Sequence, residues 1–178
     1  MNVMVTGGAG YIGSHAVKQL LDAGHKVVVV DNLYRGHGRA VDRRAAFHEI
    51  DLANTQALAE ALTEHSVECV MHFAALAYVG ESVTDPLAYY DNNTAGAISM
   101  LKAMKTTGVK RLVFSSTCAT YGEPEKTPIV ETMRQEPVNP YGWSKWCVER
   151  VLRDYSAAEP ATLKYRNAAK ANSGSAAE

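Results

Sequence analysis

Residues 2–32 read NVMVTGGAGYIGSHAVKQLLDAGHKVVVVDN. A short apolar run, residues 2–6, meets a glycine turn. An amphipathic stretch follows over residues 11–23, and then the run Lys-Val-Val-Val-Val at 26–30. The spacing predicts strand, turn, helix, strand. A four-valine run without alternation is the mark of a strand covered on both faces, as in parallel sheets. Gly7, Gly10 and Gly13 give the pattern GxxGxxG between strand and helix. Glycines there permit a tight turn and let backbone N–H groups approach an anion. The helix N-terminus adds a favourable partial positive charge. A glycine-rich string alone also fits an ordinary turn; the strand before it and the helix after it point to a pyrophosphate cradle.

Outward from this unit the alternation continues. Strands are expected at residues 46–50, 68–73 and 111–115, with a weaker last strand at 161–165. Helices are expected at residues 55–65, 86–106 (interrupted at most by Gly96) and 141–157. Alternating β and α elements with right-handed crossovers give an α/β fold, a doubly wound parallel sheet of the Rossmann-like kind. Residues 121–140, with four prolines and many charges, read as a long surface loop, and loops of that length in compact domains are more often functional than accidental. The last residues are small and polar without periodicity, as a frayed tail is. The expected division is a dinucleotide-binding unit over residues 1–166 and a short tail over 167–178.

The 178 residues carry a net charge of −1, with 47% hydrophobic and 21% charged side chains. That balance fits a globular protein and disfavours a nucleic-acid binder, which carries a clear basic excess. The one basic cluster, Arg35, Arg39, Arg43 and Arg44, reads as a solvated loop. Cys69, Cys118 and Cys147 are widely spaced, with no CxxC pair, so neither a disulfide framework nor a zinc site is expected from them. No signal peptide and no membrane-spanning apolar run is read, and the cytoplasm is the expected compartment.

Asp31 closes the second strand, where a carboxylate meets adenosine ribose hydroxyls and repels a 2′-phosphate. NAD is therefore expected over NADP, with Arg35 and Arg39 as opposing signals. Asp51-Leu52 and Phe73-Ala74-Ala75 end the third and fourth strands, where open α/β sheets bind ligands. For Phe73, core packing explains the residue equally well.

Tyr141-Gly-Trp-Ser-Lys145 opens the helix after Pro140. Residues four apart share a helical face, so Tyr141 and Lys145 can point into one site. A free tyrosine keeps its proton to about pH 10. A neighbouring ammonium favours the phenolate, which can then take a proton from a sugar hydroxyl. The turn Phe114-Ser-Ser-Thr117 stands where this helix should face. The Thr117 hydroxyl can bond a substrate hydroxyl there; capping and turn formation are its other reading.

With those residues placed, the chain resembles the extended short-chain dehydrogenase/reductase superfamily, and within it the UDP-glucose 4-epimerases. The strings that carry the resemblance are VTGGAGYIGSH, DNL, FAALAYVGESVTDP, YYDNNTAG, LVFSSTCATYGEP and NPYGWSK, spread from the start to about residue 156. The resemblance implies tightly held NAD and inversion of a UDP-sugar at C4 through a 4-keto intermediate. It implies Tyr141 as base and acid, Lys145 as its tuner and ribose holder, and Thr117 as the bridge to the sugar hydroxyl. It implies cofactor contacts at Tyr11, Ile12, Asp31, Asn32, Asp51, Leu52, Phe73, Ala74, Ala75, Asn92 and Ser115. Tyr165 would lie beside the nicotinamide, and Asn167 would meet the substrate pyrophosphate. Ala77, Arg166 and Lys170 depart from the family pattern. A second, smaller domain that grips the UDP-sugar is expected to be absent here. Two other readings stand beside this one. One is an NAD-binding module without turnover. The other is a 4,6-dehydratase, which would need Asp-Glu where Cys118-Ala119 stand. A homodimer through residues 85–106 and 141–157 is also implied, though a core-facing helix shows much the same pattern.

Overall fold

The structure is a computed structural model, described for residues 1–158 and 163–167. Six parallel strands form one sheet: β1 (Asn2–Thr6), β2 (Lys26–Asp31), β3 (Ala46–Glu49), β4 (Cys69–His72), β5 (Arg111–Phe114) and β6 (Lys164–Asn167). Their order is β3-β2-β1-β4-β5-β6, with every neighbouring pair parallel. The doubly wound reading holds. The chain direction across the sheet reverses between β1 and β4, which opens a crevice at their carboxyl ends.

The valine run of β2 shows why this sequence makes this sheet. Val28 and Val30 join the larger core with Met4, Val70, Leu112 and Phe114. That face is covered by α2 (Thr55–Glu64), α5 (Gly96–Thr107) and α6 (Pro140–Ala158), through Leu58, Leu62, Met100, Met104 and Leu152. Val27 and Val29 point the other way, with Val3 and Val5, against Val17 of α1 (Tyr11–Asp22). Successive strand residues alternate faces, so a run buried on both sides must be apolar throughout. At about 25 cal/mol per Å² of apolar area removed from water, each such valine contributes about 1.5–3 kcal/mol.

Three expectations shift. The helix expected at 86–106 is not continuous. It runs as α4 (Pro86–Tyr89), a π-helical stretch (Tyr90–Ala95) and α5. The break precedes Gly96 instead of falling on it, and single π turns inside helices mark places where side chains are re-aimed. A short helix, α3 (Val79–Thr84), was not expected; its Gly80 and exposed Val79 and Val83 hide the periodicity. The last strand begins at Lys164, later than expected, and the start expected at residue 161 lies outside the described residues, as does the tail from 168 onward. Residues 122–139, by contrast, form no helix or strand, as the prolines foretold. No helix among the described residues is long and apolar enough to cross a membrane.

Candidate active site

The glycine turn after β1 is built by close backbone approach. Gly7 has φ +74°, and a Cβ on it would lie 2.4 Å from the Ala74 nitrogen, across the crevice. A Cβ on Gly13 would lie 2.1 Å from the Gly7 carbonyl oxygen. Only glycine fits either place. No side chain caps α1 at Gly10, so the first-turn N–H groups are left for an anion.

Asp31 ends β2 in a nearly buried position. Its Oδ2 accepts from Ala9 N at 3.0 Å and its Oδ1 from Leu33 N at 2.9 Å. Two backbone donors fix the carboxylate, and each oxygen keeps a second lone pair for a ribose hydroxyl. Asn32 Nδ2 donates to Asp51 Oδ2 at 2.7 Å, tying the ends of β2 and β3 together. One groove is lined by Gly7, Gly10, Asp31, Asn32, Leu52, Phe73, Ala74, Ala75 and Asn92. Nine of the residues expected at the cofactor thus meet in one place. Phe73 serves both of its readings, since it also packs against the valine core around α1. Tyr11 and Ile12 are exposed at the start of α1, outside the groove lining. Asp51, Gly13, Ser115, Tyr141, Lys145 and Tyr165 are likewise not among its lining residues. Sequence reasoning missed Val30, Tyr34, Gly36, Ile50 and Leu76 on its walls, and weighed Arg35, also on the wall, as a signal against NAD.

The expected arginine cluster is divided in the structure. Arg44 pairs with Asp22 and Asp42, and Arg35 pairs with Glu81 of α3. The Arg35 guanidinium also lies 5.1 Å from the Tyr34 ring centre and 5.0 Å from that of Tyr78. It belongs to the groove wall and is not merely a solvated loop residue.

The second group of residues sits after β5. Asn139 and Pro140 start α6: the Asn139 side chain accepts from Gly142 N at 2.8 Å, and proline suits the first helical position. Gly142 lets the helix press close, since a Cβ there would lie 2.7 Å from the Ala119 oxygen. Tyr141, Lys145 and Glu149 follow one another at four-residue spacing on one face. Lys145, buried, donates to the Ser115 carbonyl at 2.9 Å and lies 4.8 Å from the Phe114 ring centre. Buried Glu149 accepts from the Ser116 hydroxyl, and from Gln135 Nε2 at 3.0 Å. Both serines of the turn are therefore clipped to α6. Burial pushes the Lys145 ammonium down to about 8, against the pull of Glu149. His72, buried at the end of β4, is held neutral, pushed down to about 3 by burial and then by the Lys145 charge. It shares a 2.7 Å hydrogen bond with Thr6 Oγ1.

Tyr141 is half-buried, its ring edge-on to Tyr89 with centres 6.3 Å apart. Thr117 Oγ1 accepts from Ala119 N at 3.1 Å, which is the capping role. Its hydroxyl proton is still available for a substrate oxygen. Tyr165 is half-buried against the core, and Asn167 ends β6 opposite Phe114.

A buried asparagine joins the two groups, and the sequence reading passed over it. Asn93 accepts from Leu76 N at 2.8 Å and donates to Leu76 O at 3.0 Å and to Ser144 Oγ at 2.9 Å. Leu76 lines the groove, and Ser144 adjoins Lys145 on α6. Its neighbour Asn92, the one expected from the sequence, donates to Asn93 Oδ1 at 2.9 Å. The doubled asparagine in YYDNN was the available signal.

Comparisons with known proteins agree with this geometry. Residues 3–169 match the model of the NAD dependent epimerase/dehydratase family. A UDP-glucose 4-epimerase of Lacticaseibacillus casei is 53% identical over 152 residues, which is 85% of this chain and 46% of that protein. A probable UDP-arabinose 4-epimerase of Oryza sativa subsp. japonica is 49% identical over 164 residues, 87% of this chain and 40% of that one. The crystal structure of UDP-glucose 4-epimerase from Brucella ovis in complex with NAD is 48% identical. It superposes with a TM-score of 0.89, covering 92% of this chain and 50% of that one. The chain spans about half the length of the relatives it matches.

Proposed function

The chain belongs to the NAD dependent epimerase/dehydratase family, and on that premise we propose that it supplies the NAD-binding and catalytic part of a UDP-galactose/UDP-glucose 4-epimerase. The groove fits the dinucleotide. Its glycine turn has no room for a Cβ, and its carboxylate is preset by two backbone donors. Gly7, Gly10 and Gly13 with the first turn of α1 would hold the pyrophosphate. Asp31 and Asn32 would hold the adenosine ribose, with Asp51, Leu52, Phe73, Ala74, Ala75 and Asn92 along the groove. Tyr165 would flank the nicotinamide and Asn167 the substrate pyrophosphate.

When bound, NAD supplies the acceptor and later the donor of the hydride at sugar C4. The chain's own residues move the proton. The Tyr141 phenolate takes it from the C4 hydroxyl, with Thr117 bonding the same oxygen, and gives it back on the return. The Lys145 ammonium stabilises the phenolate, and the Ser115 carbonyl fixes that ammonium in place. The observation that carries this reading is buried Lys145, anchored at the strand end one helical turn from Tyr141. Cys118 and Ala119 offer no acid/base pair for eliminating water, which weighs against a 4,6-dehydratase. A homodimer belongs to the proposal, supported by exposed Val83, Leu87 and Trp143 on α3, α4 and α6. A cytoplasmic site of action, where three free thiols stay reduced, also belongs to it.

The test is incubation of the protein with NAD and UDP-galactose, with UDP-glucose as the product sought and UDP-arabinose as a parallel substrate. Conversion of UDP-galactose is expected. Conversion of UDP-arabinose alone would move the substrate to a pentose. Retained NAD with no conversion of either would favour the module without turnover.

A further inference from the structure

Away from the groove, at the far end of α2 from Asp51, a second cluster of side chains has no part in the reaction described above. His48 lies on the edge strand β3, and His65 caps the C-terminus of α2. Their Nε2 atoms face each other at 2.8 Å, with the rings edge to face and 5.0 Å between centres. Glu64 stands beside them, Oε1 3.9 Å from His65 Nε2, and one ligand atom from each of the three residues lies within 4.8 Å of the others. We propose that His48, Glu64 and His65 form a binding site for a zinc-class divalent cation that clamps the edge strand to α2.

Two imidazole nitrogens and one carboxylate suit borderline first-row cations, and zinc takes such a set with water as fourth ligand. Around a tetrahedral zinc with Zn–N distances of about 2.0–2.1 Å, two nitrogens stand about 3.3–3.4 Å apart. The two nitrogens share a hydrogen bond without metal; ligation exchanges that bond for two metal bonds and opens the pair by about half an ångström. The backbones that carry them are already fixed. His48 pairs with Val30 in the sheet. The His65 carbonyl accepts from Asn2 Nδ2 at 3.0 Å, and its N–H bonds to Ala61 O at 3.2 Å. Both histidines are half-buried, which limits the side-chain entropy lost on binding, while exposed Glu64 can swing onto the ion. The convergence of two ring nitrogens from separate elements distinguishes this cluster from an ordinary group of surface acids.

Zinc titration of the whole protein, by calorimetry and by a thermal scan, tests the site, with cobalt as a spectroscopic probe. The expected result is one zinc per chain, a raised melting temperature, and a cobalt spectrum without sulfur charge-transfer bands. His48→Gln and His65→Gln should each weaken zinc at least about tenfold, and Glu64→Gln by less. Each variant should melt near the parent temperature in the absence of metal. No saturable zinc binding, binding unchanged in both histidine variants, or a sulfur band in the cobalt spectrum would overturn the proposal. Sugar turnover is read separately, so failure of the epimerase reading leaves this test intact.

Discussion

The glycine turn after β1 and the serine-threonine turn after β5 both stand at carboxyl ends of strands, but they are fixed by different means. The first is fixed by absence. Gly7 and Gly13 leave no Cβ where backbones must pass within 2.4 Å and 2.1 Å of one. The second is fixed by presence. Lys145 and Glu149 reach from α6 to Ser115 and Ser116, some thirty residues earlier in the chain. The glycine turn thus rests on close backbone approaches, one within the turn and one across to Ala74, that an added Cβ would break. The serine turn depends on buried charges and hydrogen bonds, which are costly if one partner is lost.

The sharpest way to break this contrast is at Lys145. Lys145→Met keeps the volume and removes the charge; it leaves the Ser115 carbonyl without its donor and takes away the positive charge neighbouring buried Glu149, which should cost about 1–3 kcal/mol of stability. Turnover should fall by roughly 10²–10⁴-fold. The same residue sets a pH limit. Its folded value of about 8 lies below its ordinary 10.5. Turnover should therefore decline as pH rises through about 8, when the ammonium is lost. Over the window from about 8 to 10.5 the unfolded chain holds more protons at this position than the folded one. Its contribution to stability accordingly rises with pH there, so unfolding driven by Lys145 is not the cause of the decline. A pH–rate profile beside a pH–melting profile checks both. A flat rate from pH 7 to 10 would remove the ammonium from the mechanism.

Next in size is Gly13→Ala. Overpacking against the Gly7 carbonyl should cost about 2–3 kcal/mol of stability, measured by urea unfolding, and should strip NAD binding. Full NAD affinity in this variant would mean that the turn adapts. Asn93→Ala tests the link between the two turns. It leaves the Leu76 amide and carbonyl and the Ser144 hydroxyl without their partner, which should cost about 1–3 kcal/mol. A loss below 0.5 kcal/mol, roughly the level of a surface change, would show the two regions to be independent. The smallest effect is expected at Asp31→Ala, which should weaken NAD about tenfold, as one lost charge-assisted bond does, and NADP less. Equal losses for both would remove Asp31 from ribose recognition.

The same contrast explains what could be read in advance. The β2 valine run, the glycine spacing between strand and helix, and Pro140 are local signals, and they gave the sheet, the groove and the start of α6. Nine groove residues followed from strand ends and family strings. Asn93, Glu149 and His72 did not, because each is defined by partners dozens of residues away. A lone buried polar residue has no periodicity to mark it. The π-helical stretch over Tyr90–Ala95 was hidden for a similar reason: its six residues read as ordinary helix, and the partners of Asn93 within it, Leu76 and Ser144, lie far away in sequence. Thr117 is an intermediate case. Its turn position was legible, and the structure adds that its oxygen already caps Ala119.

The most direct test of the site is Tyr141→Phe, measured by NAD binding and by sugar turnover on the same preparation. The variant keeps the ring that meets Tyr89 and loses only the hydroxyl. The expected result is unchanged NAD affinity with UDP-galactose conversion reduced by roughly 10²–10⁴-fold. Conversion at the parent rate, with NAD still bound, would contradict the assignment of Tyr141 as the proton-transferring group.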